Sequence, residues 1–379
     1  MKIGVIGCGY RISLMIGELL RLDPSLRIAA VADPDREGSS RRLAGIGLPK
    51  PRYYPDPDEM LDREELDGVM IGTRCSLHTE MALKVLERGT PLFLEKPVAT
   101  TMEDWRRLKE ASRNRSGAPV VVSFPLRASG IVRRVKSIVD SGRIGTIEHV
   151  QAVNNVPYGG VYFHDWYRDE AETGGLFLQK ATHDFDYLQW LIGAAPVQVC
   201  AMVSKQVFKG GKPAGLRCSA CDEKDCAERV TGSRGDYCCF AVDTGNEDSG
   251  SALVQYETGM HVSYSQNFFT RREAGARGAR LIGYKGTIEF DFYTQQVRVI
   301  SHHAPGVETD QLKAAGRHFG GDTELARNFL DVMRGGRSQS TLEDGLLSAL
   351  ICLRARESAR TGTYQSIREE MECRWTLDR

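Results

Sequence analysis

Two glycines with one residue between them, Gly7-Cys8-Gly9, stand where a short apolar segment gives way to an amphipathic one, either as an ordinary strand-to-helix turn or as a phosphate site. Lys2 to Ile6 reads as a strand. Ile12, Met15, Ile16, Leu19 and Leu20 then mark one face of a helix that stops before Pro24. In that context a glycine turn is a phosphate site. Gly7 permits the tight turn, Gly9 lets the backbone approach a pyrophosphate, and the helix start offers unpaired amides and a positive dipole end. The third glycine of the fingerprint is absent, and Ile12 occupies its position. Asp33 closes a second strand, begun at Arg27, roughly 20 residues after the glycines. A carboxylate there accepts hydrogen bonds from an adenosine ribose and repels a 2′-phosphate, so NAD is expected in preference to NADP. Arg36, three residues on, reads as a solvated loop residue.

Further buried strands are expected at 68–73, 91–95 and 119–124, alternating with helices, one of which opens on a Thr100/Glu103 capping box. Residues 1–122 thus read as an α/β Rossmann domain. From 123 to 379 the pattern changes to longer alternating strands joined by hairpin signals at Glu257-Thr258-Gly259 and Lys285-Gly286. That part reads as an α+β domain with a large, open, mostly antiparallel sheet, covered on one side by helices near 181–192, 322–334 and 342–361. Lys plus Arg equal Asp plus Glu at 50 each, which argues against nucleic acid or an acidic membrane as partner. A small neutral molecule fits better. Without a signal-peptide cleavage site or an apolar run of roughly 18 residues, the chain is expected to be soluble and cytoplasmic.

Two constellations look chemical. Glu95-Lys96-Pro97 falls at the carboxyl end of a buried strand, where doubly wound sheets bind ligands and a lysine can polarise a hydroxyl. Gly174-Gly175 precedes Gln179, Lys180, His183, Asp184 and Asp186, with 179, 183 and 186 on one helical face. Taken with Ala32-Asp33-Pro34, Thr73 and His78, and Trp166 ahead of the glycine pair, this arrangement resembles the Gfo/Idh/MocA oxidoreductases, over essentially the whole chain to about residue 365.

The resemblance implies hydride transfer between NAD and a secondary alcohol carbon of a sugar, cyclitol or sugar derivative, with Lys96 and His183 catalytic. It implies a cofactor set of Gly7, Gly9, Tyr10, Ile12, Asp33, Thr73, His78, Glu95 and Lys96. Arg127, Trp166, Arg168, Gln179, Lys180 and Asp186 would meet the substrate, and a homo-oligomer, dimer or tetramer, would cover the open sheet. Two alternatives stand beside it: glycoside cleavage through transient oxidation, and a ligand sensor without turnover. The chain departs from the family at Gln179, where an Asp four residues before the His is common, and at Arg74, where Pro commonly follows the Thr73 position.

An insertion over 209–250 carries Cys218, Cys221, Cys226, Cys238 and Cys239. Cys218-x-x-Cys221 has the spacing with which two thiolates grip one ion, and a structural zinc held by Cys218, Cys221, Cys226 and Cys238 is sterically reasonable. Free thiols in a loop and iron–sulfur or disulfide chemistry are the other readings.

Overall fold

The computed structural model describes residues 1–48, 50–114, 118–231 and 235–371. Six short segments form strands: β1 (Lys2–Ile6), β2 (Arg27–Ala32), β3 (Arg52–Tyr54), β4 (Gly68–Ile71), β5 (Leu92–Leu94) and β6 (Val120–Val122). They pair in parallel in the order β3-β2-β1-β4-β5-β6, which is the doubly wound dinucleotide topology. Strands β1, β4, β5 and β6 are short and buried on both faces, so they carry no polar alternation. Helix Tyr10–Leu22 lays Ile12, Met15, Ile16 and Leu19 onto them. A later helix, Met102–Asn114, is capped one residue beyond the expected box: the Asp104 N–H donates to Thr101 Oγ1 at 3.1 Å.

The division of the chain differs from expectation. One compact unit comprises residues 1–130 with 315–349, and the other comprises 131–314 with the chain from Leu350 onward. Helix Gly321–Met333, expected to cover the second sheet, belongs to the dinucleotide unit. Its Leu325, Ala326, Phe329 and Leu330 share a core with Ile12, Ile16 and Phe93, and Phe93 meets Phe329 edge to face at 5.6 Å. An amphipathic stripe declares that a helix is buried, but not which sheet buries it.

The second unit is built on β7 (Ile147–Asn155), β8 (Pro196–Ser204), β9 (Ser249–Tyr256), β10 (His261–Asn267), β11 (Ala276–Gly283), β12 (Gly286–Asp291), β13 (Gln296–Ser301), β14 (Val307–Gln311) and β15 (Gln365–Ser366). The nine strands run in the order β14-β13-β12-β11-β7-β10-β9-β8-β15. The β7–β10 pair is parallel and the other pairs are antiparallel. Strand β9 alternates buried and exposed residues along its length, as one covered face requires. Helix Leu176–Ile192, longer than expected by a turn at its start, is buried along almost all of its length.

If 321–333 is integral to the first unit, Phe329→Ala should cost about 3–5 kcal/mol by leaving a cavity beside Phe93. Urea denaturation monitored with and without NADH would measure it. A loss below 1 kcal/mol would refute the placement.

Candidate active site

The glycine turn is held shut by its own surroundings. Gly7 has φ +75°, and a Cβ there would lie 2.7 Å from the Thr73 backbone nitrogen, so both conformation and space demand glycine. Asp33 clamps the turn from the other side: Oδ2 accepts the Cys8 N–H at 2.7 Å and Oδ1 accepts the Asp35 N–H at 2.7 Å. Each oxygen retains a lone pair for a further donor. Gly9 precedes helix Tyr10–Leu22 without a side-chain cap. Burial, reinforced by the Asp33 charge, pushes the Cys8 thiol up to about 12, so this cysteine is inert packing.

The substitution of Ile12 for the third glycine has a counterpart that was not read from the sequence. A Cβ on Gly72 would fall 2.0 Å from Ile12 Cγ1. The close approach of helix to sheet is kept, with the missing side chain moved from the helix to the end of β4. A glycine ending an apolar run was the available clue.

Glu95 and His78 act in the structure on the protein's own groups. Arg11 donates from Nε to Glu95 Oε1 at 3.2 Å and grips both Asp322 oxygens at 2.8 Å. His318 Nδ1 lies 3.0 Å from the same carboxylate. Burial would raise the Asp322 pKa, but His318 and Arg11 overcome it and hold the group well below the usual carboxylate range. The buried ring of His78 meets the Pro97 carbonyl through Nδ1 at 2.8 Å and the Thr73 carbonyl through Nε2 at 3.3 Å. Burial holds its pKa below the ordinary histidine value. It ties the end of β4 to the turn that presents Lys96, which is itself buried beside a cis Lys96–Pro97 bond. Tyr10 accepts from Arg317 at 3.2 Å, and Thr73 Oγ1 donates to the Arg74 carbonyl. Arg127 is buried and donates to the Gln339 carbonyl and to Asp344 Oδ2 at 2.9 Å, within the same unit.

In the second unit, helix Leu176–Ile192 carries Gln179, Lys180, His183, Asp184 and Asp186, all buried. Glu247 receives the Phe177 N–H at the start of this helix, where a carboxylate meets the positive end of the dipole. Asp184 is a hub. Its Oδ1 accepts from Arg277 Nε at 2.8 Å, and Oδ2 accepts from Asn154 at 2.7 Å and from the Tyr264 hydroxyl at 2.9 Å. Lys180 donates to the hydroxyls of Tyr158 at 2.7 Å and Tyr162 at 3.0 Å. Tyr158, Arg277 and Glu247 lay outside the sequence expectation, because their partners are remote in the chain. Trp166 stacks on Tyr167 at 3.9 Å. Arg168 grips Asp243 at 2.7 Å and Thr244 at 2.9 Å, anchoring the root of the cysteine-rich insertion.

The expected zinc set is not formed. Among the described residues no three His, Cys, Asp or Glu side chains converge as ligands, and Cys218, Cys221, Cys226, Cys238 and Cys239 are free thiols. Backbone pairing closes the insertion instead: an Arg217–Tyr237 bridge, with the Cys238 N–H donating to the Leu216 carbonyl at 2.7 Å. Arg217 adds an ion pair to Asp236 at 2.6 Å.

Family descriptions match two stretches of the chain: an oxidoreductase family with NAD-binding Rossmann fold over residues 1–124, and the Gfo/Idh/MocA C-terminal domain over 132–289. The chain is 28% identical to the Bacillus subtilis protein YteT, over 79% of its own length and 80% of that protein's. It is 34% identical to inositol 2-dehydrogenase 2 of Saccharopolyspora erythraea, where the match spans 53% of this chain and 56% of the relative. Among solved structures, a levoglucosan dehydrogenase in complex with NADH and levoglucosan superposes with a TM-score of 0.77 at 18% identity, covering 97% of this chain and 99% of that one. The myo-inositol 2-dehydrogenase of Lactobacillus plantarum gives 0.74 at 20% identity, with 97% and 99% covered.

The Asp322 cluster sets a pH dependence. A carboxyl depressed on folding stabilises above the unfolded value of about 3.9, and that contribution drains away as pH falls through the native value. Asp322→Asn should cost about 3 kcal/mol at pH 7, with the gap to the parent narrowing toward pH 2. Denaturant melts at both pH values would measure the gap, and a constant difference would contradict the assignment.

Proposed function

The chain belongs to the Gfo/Idh/MocA family of oxidoreductases, and from that membership we propose that it transfers hydride between NAD and a secondary alcohol carbon of a sugar, cyclitol or sugar derivative. The observation that carries the cofactor choice is the Asp33 carboxylate at the glycine turn, its oxygens bonded to two backbone amides and each able to accept once more. A negative group in that position favours a free 2′-hydroxyl over a 2′-phosphate. Gly7, Gly9 and the uncapped start of helix Tyr10–Leu22 would hold the pyrophosphate. Bound there, NAD supplies the hydride acceptor.

The remaining chemistry falls to the side chains. His183 takes the hydroxyl proton as hydride leaves the carbon, and the Lys96 ammonium stabilises the developing alkoxide. Gln179 offers hydrogen bonds but no titratable proton, so acid–base work rests on His183 rather than on a carboxylate at position 179. The names of relatives that act on inositols and levoglucosan support a polyol substrate. Met202 and Leu253, exposed on adjacent strands β8 and β9, support a homo-oligomer that covers this sheet.

His183→Asn should lower turnover at least about 100-fold while NADH binding, followed by fluorescence titration, stays within about twofold of the parent. A panel of polyols assayed with NAD and with NADP provides the turnover. An active His183→Asn enzyme would overturn the assignment. Product formed with NAD retained and no NADH accumulating would replace net dehydrogenation by cleavage through transient oxidation.

A further inference from the structure

Lys180 is a buried cation whose hydrogen-bond partners include no carboxylate. Its side chain is almost wholly enclosed, with the residue 5% exposed. The ammonium donates to two neutral phenols, those of Tyr158 and Tyr162, whose ring centroids lie 4.7 and 5.1 Å away. Among the described residues no carboxylate hydrogen-bonds or ion-pairs with it. Neighbouring carboxylates are committed elsewhere. Asp184 is shared among Arg277, Asn154 and Tyr264; Glu228 is gripped by both bonds of Arg271 at 2.6 and 2.7 Å; Asp291 receives the amides of Arg277, Tyr293 and Thr294.

An ammonium only donates, so Tyr158 and Tyr162 spend oxygen lone pairs on Lys180 and keep their own hydroxyl hydrogens. Arg277 Nη2 is buried and finds no acceptor. Tyr158 is 45% exposed and is thus the accessible member of the group. Although desolvation raises the Tyr158 pKa, the charges of Lys180 and Arg277 outweigh it and bring the phenol below its ordinary range. A cation enclosed without a bonded counter-charge is costly, and the open donor of Arg277 Nη2 beside it suits a ligand that brings both charge and lone pairs.

We propose that Lys180 and Tyr158 form the recognition point for a carboxylate on the substrate, so that the enzyme acts on a sugar acid rather than on the corresponding neutral sugar. This rests on the dehydrogenase reading above. Arg277 is matched by Asp184, so Lys180 is the cation left without a bonded carboxylate, and a monoanion matches it. A phosphate monoester, at roughly −1.5 to −2, would overshoot.

Matched sets of aldohexose, hexonate, hexuronate and hexose phosphate, assayed with the NAD-loaded enzyme, test this directly. A sugar acid should exceed its neutral partner by about tenfold or more in kcat/KM, as a charge-assisted hydrogen bond provides. Lys180→Met and Tyr158→Phe should each collapse the acid-to-neutral ratio, with folding checked by thermal melts. Preference for the neutral sugar or the phosphate, or an equal loss on both arms in Lys180→Met, would overturn the proposal. Calorimetric titration of the same ligands into the NADH complex separates the two claims. Acid binding that depends on Lys180, without hydride transfer to any ligand, keeps the anion site and removes the dehydrogenase. Hydride transfer with neutral polyols and no acid binding does the reverse.

Discussion

The bond from the Cys8 amide to the Asp33 carboxylate is the constraint on which the dinucleotide unit turns. It joins the end of β1 to the end of β2, while the contact of Gly7 against Thr73 joins β1 to the end of β4. Three strand ends are thereby drawn to one point, and the amides of the turn are aimed before any ligand arrives. A site preorganised in this way spends little conformational entropy on binding. One carboxylate does two jobs, since the lone pairs left after clamping the turn are those a ribose would use.

A second fixed point reaches far along the sequence. Arg11, one residue into the first helix, bridges Glu95 and Asp322, whose positions in the chain are hundreds of residues apart. This places residues 315–349 with the first unit as firmly as the apolar contacts of Phe329 do. Removing Arg11 would leave two carboxylates without the cation they share, which is why such clusters hold their geometry closely.

How much of this could be read from the sequence depended on how local each cause was. The glycine turn, Asp33 and the strand ends are set by residues within a few positions of one another, and β1, β2 and β4 formed where their apolar runs lie. The capping box slipped by one residue because Thr100 and Thr101 are adjacent and Asp104 serves as well as Glu103. Glu95 and His78 were expected at the cofactor, and their partners in the structure, Arg11 and two backbone carbonyls, come from the fold. The Arg277 side chain illustrates the limit. It lies in a run of three buried residues of β11, and nothing near it in the chain names Asp184 as its partner. The cysteine spacing misled for the converse reason: C-x-x-C fixes two thiols locally, whereas a metal site needs the remaining ligands to arrive from distant positions.

Helix Leu176–Ile192 shows what a buried polar network contributes to a site. Most of its circumference is enclosed, so apolar contact stabilises it at many rotations about its axis and selects none strongly. Asp184 does select. Its bonds to Arg277 on β11, Asn154 on β7 and Tyr264 on β10 tie one side chain to three strands, and a rotation of the helix would break all of them together. Since residues 179, 183 and 186 lie on a face fixed relative to 184, the direction in which His183 points follows from the Asp184 hub. The energetic value of the hub is modest once desolvation is counted, but the rotational choice it imposes cannot be supplied by leucines and phenylalanines.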